Sequence, residues 1–287
     1  MAVTRPILIL GAGGALGHSL LEVAETHPDL RCFGATHAEA DITERNQVDN
    51  TIRKYDARAV INCAAMTDVD ACERDPMLAS AVNAEGAQNV AEACRRASAL
   101  LVHLSTDFVF DGKLDRPYRE DDTTHPLSVY GATKLEGEHA IERAGGKTLI
   151  VRTAWTFGPG RANFVTKVRE RARAGGRIDM IRTQTGSPTW TGDLAIGIFQ
   201  LIFAGAHGIY HVVNSGTATR VEFAQAILEL SGMADATVNP VDEAPANWVA
   251  KRPAWSVLDA SKFTAKTGLT LASWREALDQ YLTRLSA

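Results

Sequence analysis

The segment Gly11-Ala-Gly-Gly-Ala-Leu-Gly17 constrains the fold most. It lies between an apolar run, Pro6 to Leu10, which reads as a strand, and a helical pattern from Leu16 to Thr26. Gly11, Gly14 and Gly17 fall at GxxGxxG spacing. Glycine permits a tight turn and lets the backbone approach a pyrophosphate at a helix N-terminus. A strand-to-helix turn often needs one glycine for itself. Here the context is the one the dinucleotide motif demands, so that reading outweighs the plain turn. Gly11, Gly13, Gly14, Ala15, Leu16 and Gly17 are the expected phosphate cradle.

Downstream, short apolar runs alternate with amphipathic segments. Strands are expected at Arg31–Ala35, Ala59–Cys63, Leu100–Ser105, Thr148–Arg152, Arg177–Ile181 and Gly208–Val213. Helices are expected at Val48–Lys54, Ala79–Arg96, Tyr130–Glu142, Phe164–Ala174, Gly192–Phe203, Val221–Ser231 and Trp274–Leu285. Strands alternating with helices over short connections imply a parallel sheet covered on both faces. Gly186-Ser-Pro-Thr189 interrupts the pattern, and Pro240, Pro245 and Pro253 mark Asp235–Val257 as loops and short strands. The fold class is therefore α/β: a Rossmann-type doubly wound parallel sheet with a smaller C-terminal substrate lobe. Residues 1–155 and 189–213 form the dinucleotide domain in this reading, and 156–188 and 214–287 the lobe.

Composition narrows the function. The 287 residues suffice for such a core. A net charge of −4 offers no basic excess for nucleic acid or anionic lipid, so an anionic ligand must be held locally. No apolar stretch nears the roughly 18 residues of a membrane span, and Gly11 follows the N-terminal run too soon for a signal peptide. Cys32, Cys63, Cys72 and Cys94 form no CxxC pair, and no histidine stands at metal spacing from them. Cys63 and Cys94, in apolar runs, read as reduced core thiols, and a cytoplasmic location with no metal site is expected.

An acidic residue about 20 residues past the glycine loop would bond a ribose 2′-hydroxyl. The sequence there carries Thr36 and His37, which tolerate a 2′-phosphate, with Glu39 and Asp41 following. NADPH is the expected cofactor and NADH the alternative. Asp41, next to Ile42, serves either the adenosine end or a local cap.

Tyr130 and Lys134 stand four residues apart and share one face of a helix. A lysine charge near a phenol favours the phenolate and makes the tyrosine a workable proton donor near neutral pH. A surface helix matches YxxxK by chance often enough. Here the helix follows a strand ending at Ser105-Thr106-Asp107, where doubly wound sheets bind ligands.

Gly11–Gly17, Asn62-Cys63-Ala64-Ala65, Ser105–Phe110 and the Tyr130/Lys134 pair resemble an extended short-chain dehydrogenase/reductase. Arg152-Thr-Ala-Trp155, Asn163-Phe164, Gly186–Thr189, Gly208–Val212 and Arg252-Pro253 resemble, in order, the landmarks of the dTDP-4-dehydrorhamnose reductases. The resemblance covers nearly the whole chain. It implies that Thr106 polarises a substrate carbonyl, Tyr130 donates the proton, and Lys134 holds the nicotinamide ribose. It places Cys63, Ala64, Ala65, Asn83 and Ser105 at the cofactor, and Phe108, Trp155, Asn163 and Arg252 at a nucleotide-linked 4-keto-6-deoxy sugar. Core packing competes with stacking for Trp155, a helix cap with the site role for Asn83, and a solvated surface residue with phosphate binding for Arg252.

Related dehydratases carry Thr-Asp-Glu at this strand end; Phe108 removes that glutamate. Phe108 where many reductases have tyrosine, and Thr183-Gln184 where Asp-Gln is common, leave the sugar open. Ser19 stands where some members place a magnesium-binding glutamate, so no metal-linked dimer is expected; the chain is a monomer or a homodimer. The regulatory subunit of methionine adenosyltransferase resembles the same reductases, so a non-catalytic NADP-binding role stays open.

Overall fold

The computed structural model describes residues 6–27, 30–233, 235–243 and 248–286; Pro245 and the residues before Pro6 lie outside them. Strands β1 (Ile7–Leu10), β2 (Cys32–Ala35), β3 (Ala59–Asn62), β4 (Leu100–Thr106), β5 (Thr148–Thr153) and a sixth, Gly208–His211, form one sheet. All neighbours are parallel, and the spatial order is Gly208–His211, β5, β4, β3, β1, β2. The chain leaves β1 for β2 on one side and returns to β3 on the other. That reversal opens a crevice at the carboxyl ends of β1 and β3, where such sheets take their ligands.

The strands are apolar along their length because both faces are covered. On one face, Ile9, Ile61, Val102 and Val151 pack against Leu20 of helix α1 (Ala15–Glu25) and Leu194, Ile198 and Phe199 of the helix Thr191–Phe203. Phe263 and Leu271 join that cluster. On the other, Leu8, Leu10, Val60 and Leu101 meet Val48 and Ile52 of helix α2 (Arg45–Lys54), Val90 and Cys94, and Ile141. A separate apolar cluster holds Phe157, Val165, Ile178, Trp190, Phe223, Leu278 and Tyr281. Phe223 is fully buried at its centre, and truncation to alanine there costs about 3–5 kcal/mol.

The expected helix Ala79–Arg96 is instead three pieces. Asp75 caps a helix that starts with Pro76, Ala81–Glu85 forms a π-helical turn, and Gly86–Arg96 continues as α-helix. At the wide turn the Asn83 carbonyl oxygen comes so near the Val129–Ala144 helix that a Cβ at Gly137 would sit 2.4 Å from it. Two short helices, Val69–Arg74 and Ser261–Thr267, were not expected; each is too short to show a helical period. Asp68 caps the first by accepting from the Ala71 amide.

Candidate active site

The glycine loop is built for close backbone approach. Gly11 has φ +75°, and a Cβ there would lie 2.7 Å from the Ala64 amide nitrogen. A Cβ on Gly17 would lie 2.6 Å from the Ala12 Cα. The first excludes a side chain where β1 meets the tail of β3; the second lets α1 start against the loop. Gly14 is the N-cap of α1, with no side-chain cap and no acidic residue in the first turn. The first amides of α1 therefore stay free to meet an anion.

Beside the loop lies a cleft of about 360 Å³ lined by Gly14, Ala15, Leu16, Gly17, Cys63, Ala65, Ser105, Tyr130, Lys134 and Asn163, among others. The residues present fit a dinucleotide: an uncapped helix terminus and a glycine cradle at one end, a phenol and an amine at the other.

At the end of β2, His37 is largely exposed. The Glu39 carboxylate folds back to accept from the Thr36 amide and hydroxyl, both at 2.8 Å. Those bonds hold its carboxyl below the usual range. The Thr36 methyl is the nearest atom facing Gly13, so a carboxylate stands next to the cradle although no acid occupies positions 36 or 37. Asp41 accepts from the Thr43 amide and hydroxyl at 2.9 and 2.8 Å, a local turn. Ile42 is buried against Gly86.

Thr106 ends β4 and Tyr130 opens the Val129–Ala144 helix, which Ser128 caps. The Thr106 hydroxyl stands close enough to the phenol to draw its value down. Thr106 also donates to Asp107 Oδ1 at 3.0 Å and accepts from the Phe108 amide at 3.2 Å. Phe108 closes edge-on over the Tyr130 ring, centroids 5.7 Å apart. Lys134 is buried, donating to the Leu104 carbonyl at 2.5 Å with His103 Nε2 at 3.2 Å. Burial brings its ammonium down to about 8 against the opposing pull of Glu138 and Cys63.

One electrostatic expectation is overturned. Burial raises the Tyr130 phenol above its ordinary value, the Asp107 charge adds to the rise, and only the nearby Thr106 hydroxyl opposes it. Lys134 spends its bonds on β4, so the phenol is held as a protonated acid. Burial also lifts the Asp107 carboxyl to about 6, against Ser256, Thr106 and Arg220. It pushes the Cys63 thiol up to about 12, an inert wall of the cleft.

Asn83 is no helix cap. It accepts from the Met66 amide at 2.9 Å and donates to the Met66 carbonyl at 3.1 Å and to Thr133 at 3.2 Å. It ties the loop after β3 to the Val129–Ala144 helix from within the π turn. Asn163 caps the helix Phe164–Arg173 and donates to the Gly158 carbonyl and to Tyr281. The Ser105 hydroxyl donates to Glu138, which forms a buried ion pair with Arg152 at 2.7 Å.

A second cleft, about 1390 Å³, is lined by Thr67, Phe164, Lys167, Arg171, Arg220, Trp248 and Arg252, among others. Phe164 and Thr67 line both clefts, so the two adjoin. Arg252 stacks on Trp248 at 3.8 Å and forks onto Asp70, at 2.6 and 3.3 Å. Trp155, with φ 45°, packs under Arg220 and against Gly186, where a Cβ would lie 2.4 Å from the indole. Sequence reasoning passed over Arg220, Lys167 and Arg171. A lone arginine at a helix start carries no signal, and the i, i+4 spacing of Lys167 and Arg171 reads as a solvated face. Among the described residues no group of three or more His, Cys, Asp or Glu could hold a metal, and no helix is long and apolar enough to cross a membrane.

The model of the RmlD substrate binding domain matches residues 5–287. A dTDP-4-dehydrorhamnose reductase of Mycolicibacterium smegmatis is 42% identical over 283 residues, 96% of this chain and 84% of that one. A dTDP-4-keto-6-deoxy-D-glucose reductase of Streptomyces niveus is 36% identical, covering 98% of this chain and 97% of its own. The crystal structure of a dTDP-4-dehydrorhamnose reductase from Bacillus anthracis in complex with NADP superposes with a TM-score of 0.94 at 33% identity, covering 98% of this chain and 100% of that one. A full-length match to the family model, with relatives above the level at which families are shared, places this chain in the dTDP-4-dehydrorhamnose reductase family.

Proposed function

We propose that the chain reduces the C4 ketone of a nucleotide-linked 4-keto-6-deoxy sugar, dTDP-4-dehydrorhamnose being the substrate favoured by its relatives. The observation that carries the reading is the meeting of two clefts. Tyr130 and Lys134 line the one that starts at the glycine cradle, and that cleft adjoins one lined by four basic side chains. When bound, NADPH supplies the hydride for the sugar C4. The dinucleotide domain, 1–155 and 189–213, brings the cradle. The lobe, 156–188 and 214–287, brings Lys167, Arg171, Arg220 and Arg252, with Trp190 and the Ser261–Thr267 helix packed across the boundary.

Tyr130 gives its phenolic proton to the ketone oxygen as that oxygen becomes a hydroxyl. The raised phenol keeps that proton available across the neutral range. Thr106 polarises the ketone oxygen beside the phenol, and Phe108, edge-on to the Tyr130 ring, shields it from water. Lys134 presents its remaining N–H to the cleft. Arg220 and Arg252 answer the diphosphate with planar guanidinium groups, which suit phosphate oxygens. Phe108 in place of a glutamate leaves no second acid–base group for dehydration.

The test is a product assay of the pure chain against a panel of nucleotide 4-keto sugars with NADPH and NADH. Cofactor oxidation with a 6-deoxyhexose product is expected. Cofactor binding without turnover on any member would favour the regulatory reading instead.

A further inference from the structure

Asn62 ends β3 and His103 stands opposite it on β4, so their side chains lie on one face of the sheet. Both are 1% exposed. Asn62 Oδ1 accepts from the Ala64 amide at 3.1 Å. A backbone amide can only donate, so this contact fixes which end of the Asn62 side chain is oxygen. The other end, Nδ2, is a donor and lies 3.3 Å from His103 Nδ1. Nδ1 must accept, and the proton of the neutral ring then sits on Nε2. Nε2 faces Lys134 Nζ at 3.2 Å.

An ammonium has only donors, so Nε2–H opposite it would set donor against donor. A free amine has a lone pair for Nε2–H, one N–H for the Leu104 carbonyl at 2.5 Å, and one N–H left for the cleft. We propose that Asn62 and His103 are positioning residues whose fixed hydrogen-bond polarity favours the free-amine form of Lys134.

The surroundings are compatible with that form. From its own helix, Tyr130 and Glu138 face Lys134; Glu138 is already paired with Arg152 of β5 and bonded by Ser105. Cys63, after β3, is held as a thiol. His103 stays neutral because burial alone, its largest influence, holds it well below the ordinary histidine value, and any charge on Lys134 would lower it further. In the free enzyme Lys134 thus changes protonation near neutral pH, where it can take or return a proton beside Tyr130. This consequence for turnover rests on the function proposed above; the protonation state does not.

Two measurements test the pair. The ¹⁵N spectrum of His103, identified by its loss in His103→Gln, reports the tautomer. The proton is expected on Nε2. The ε-¹³C resonance of Lys134, identified by its loss in Lys134→Arg, is titrated in wild type, His103→Gln and Asn62→Ala. His103→Gln offers an amide oxygen in place of N–H; Asn62→Ala frees the ring to change tautomer and accept. Each should raise the Lys134 midpoint by about one unit, tenfold in acid constant. A wild-type proton on Nδ1, or a midpoint that falls or stays in both variants, overturns the proposal. NADPH oxidation on the same samples separates the claims. If the midpoints move and the alkaline limb of turnover does not follow, the polarity argument stands and the catalytic reading of Lys134 falls.

Discussion

The Arg220 guanidinium carbon lies 3.4 Å from the centroid of the Trp155 indole and 5.0 Å from that of Phe164. Burial brings this arginine down to about 9, Asp107 resists the fall, and Arg252 adds to it. The larger cleft thus holds a desolvated cation beside Phe164, which lines both clefts, an arrangement that gains most from an incoming anion.

Arg220→Lys keeps the charge and loses the planar stack and the fork. The expected result is a rise in KM for the nucleotide sugar with NADPH affinity unchanged. A charged hydrogen bond contributes about 1.5–3 kcal/mol, or about 10- to 150-fold. Steady-state kinetics with cofactor saturating, beside NADPH titration by fluorescence, checks both halves. An unchanged sugar KM removes Arg220 from the substrate site.

Tyr130→Phe removes one hydroxyl and keeps the ring that meets Phe108. Turnover should fall about 10²- to 10⁴-fold, the usual contribution of a general acid. NADPH should still raise the melting temperature as in wild type. Near-normal single-turnover rates would end the assignment of Tyr130 as proton donor.

The sheet was legible because its strands are short apolar runs set between longer helical patterns, and the glycine loop fixes where the first pair meets. The wide turn at Ala81–Glu85 was not, since the residues it meets, Gly137 and Thr133, lie far along the chain. In the site, Tyr130, Lys134, Ser105 and the cradle could be read as local motifs. Arg220, Asp70 and His103 could not, because each acquires its meaning from a partner distant in sequence: Trp155, Arg252 and Lys134. Glu39 illustrates the same limit at short range. Its position lies past the expected one, and only the fold-back onto Thr36 brings it to the cradle.

That fold-back bears on cofactor choice. NADPH is expected to serve at least as well as NADH, since His37 is exposed and no acid occupies positions 36 or 37. The Glu39 charge, folded back onto Thr36 beside the cradle, is the nearest described carboxylate to oppose a 2′-phosphate, with Asp41 turned onto Thr43. Glu39→Gln keeps an acceptor for Thr36 and removes the charge, so kcat/KM for NADPH should rise relative to NADH. Competition between the cofactors in wild type and variant reads this directly. A kcat/KM for NADH well above that for NADPH in wild type would refute the first half, and an unmoved ratio in the variant the second.

His211 is fully buried and stands opposite Arg152 in the register of its strand with β5. Burial and then the Arg152 charge lower it from 6.5 to about 3. His103 is also lowered well below 6.5, by burial and Lys134. Both groups have folded values below their unfolded ones, so between those values the unfolded chain binds the extra protons. Their contribution to stability is complete above pH 6.5 and is lost as the pH falls from there towards 3. The slope is about 1.4 kcal/mol per pH unit for each proton taken up on unfolding. Denaturant midpoints measured from pH 7.5 to pH 4.5 should therefore fall. His211→Leu, close in volume and without a titrating group, should fall less steeply over the same window. Its absolute stability at pH 7.5 is not the readout; the difference in slope is. Parallel slopes for wild type and variant would mean that His211 takes up its proton in the folded chain as readily as in the unfolded one.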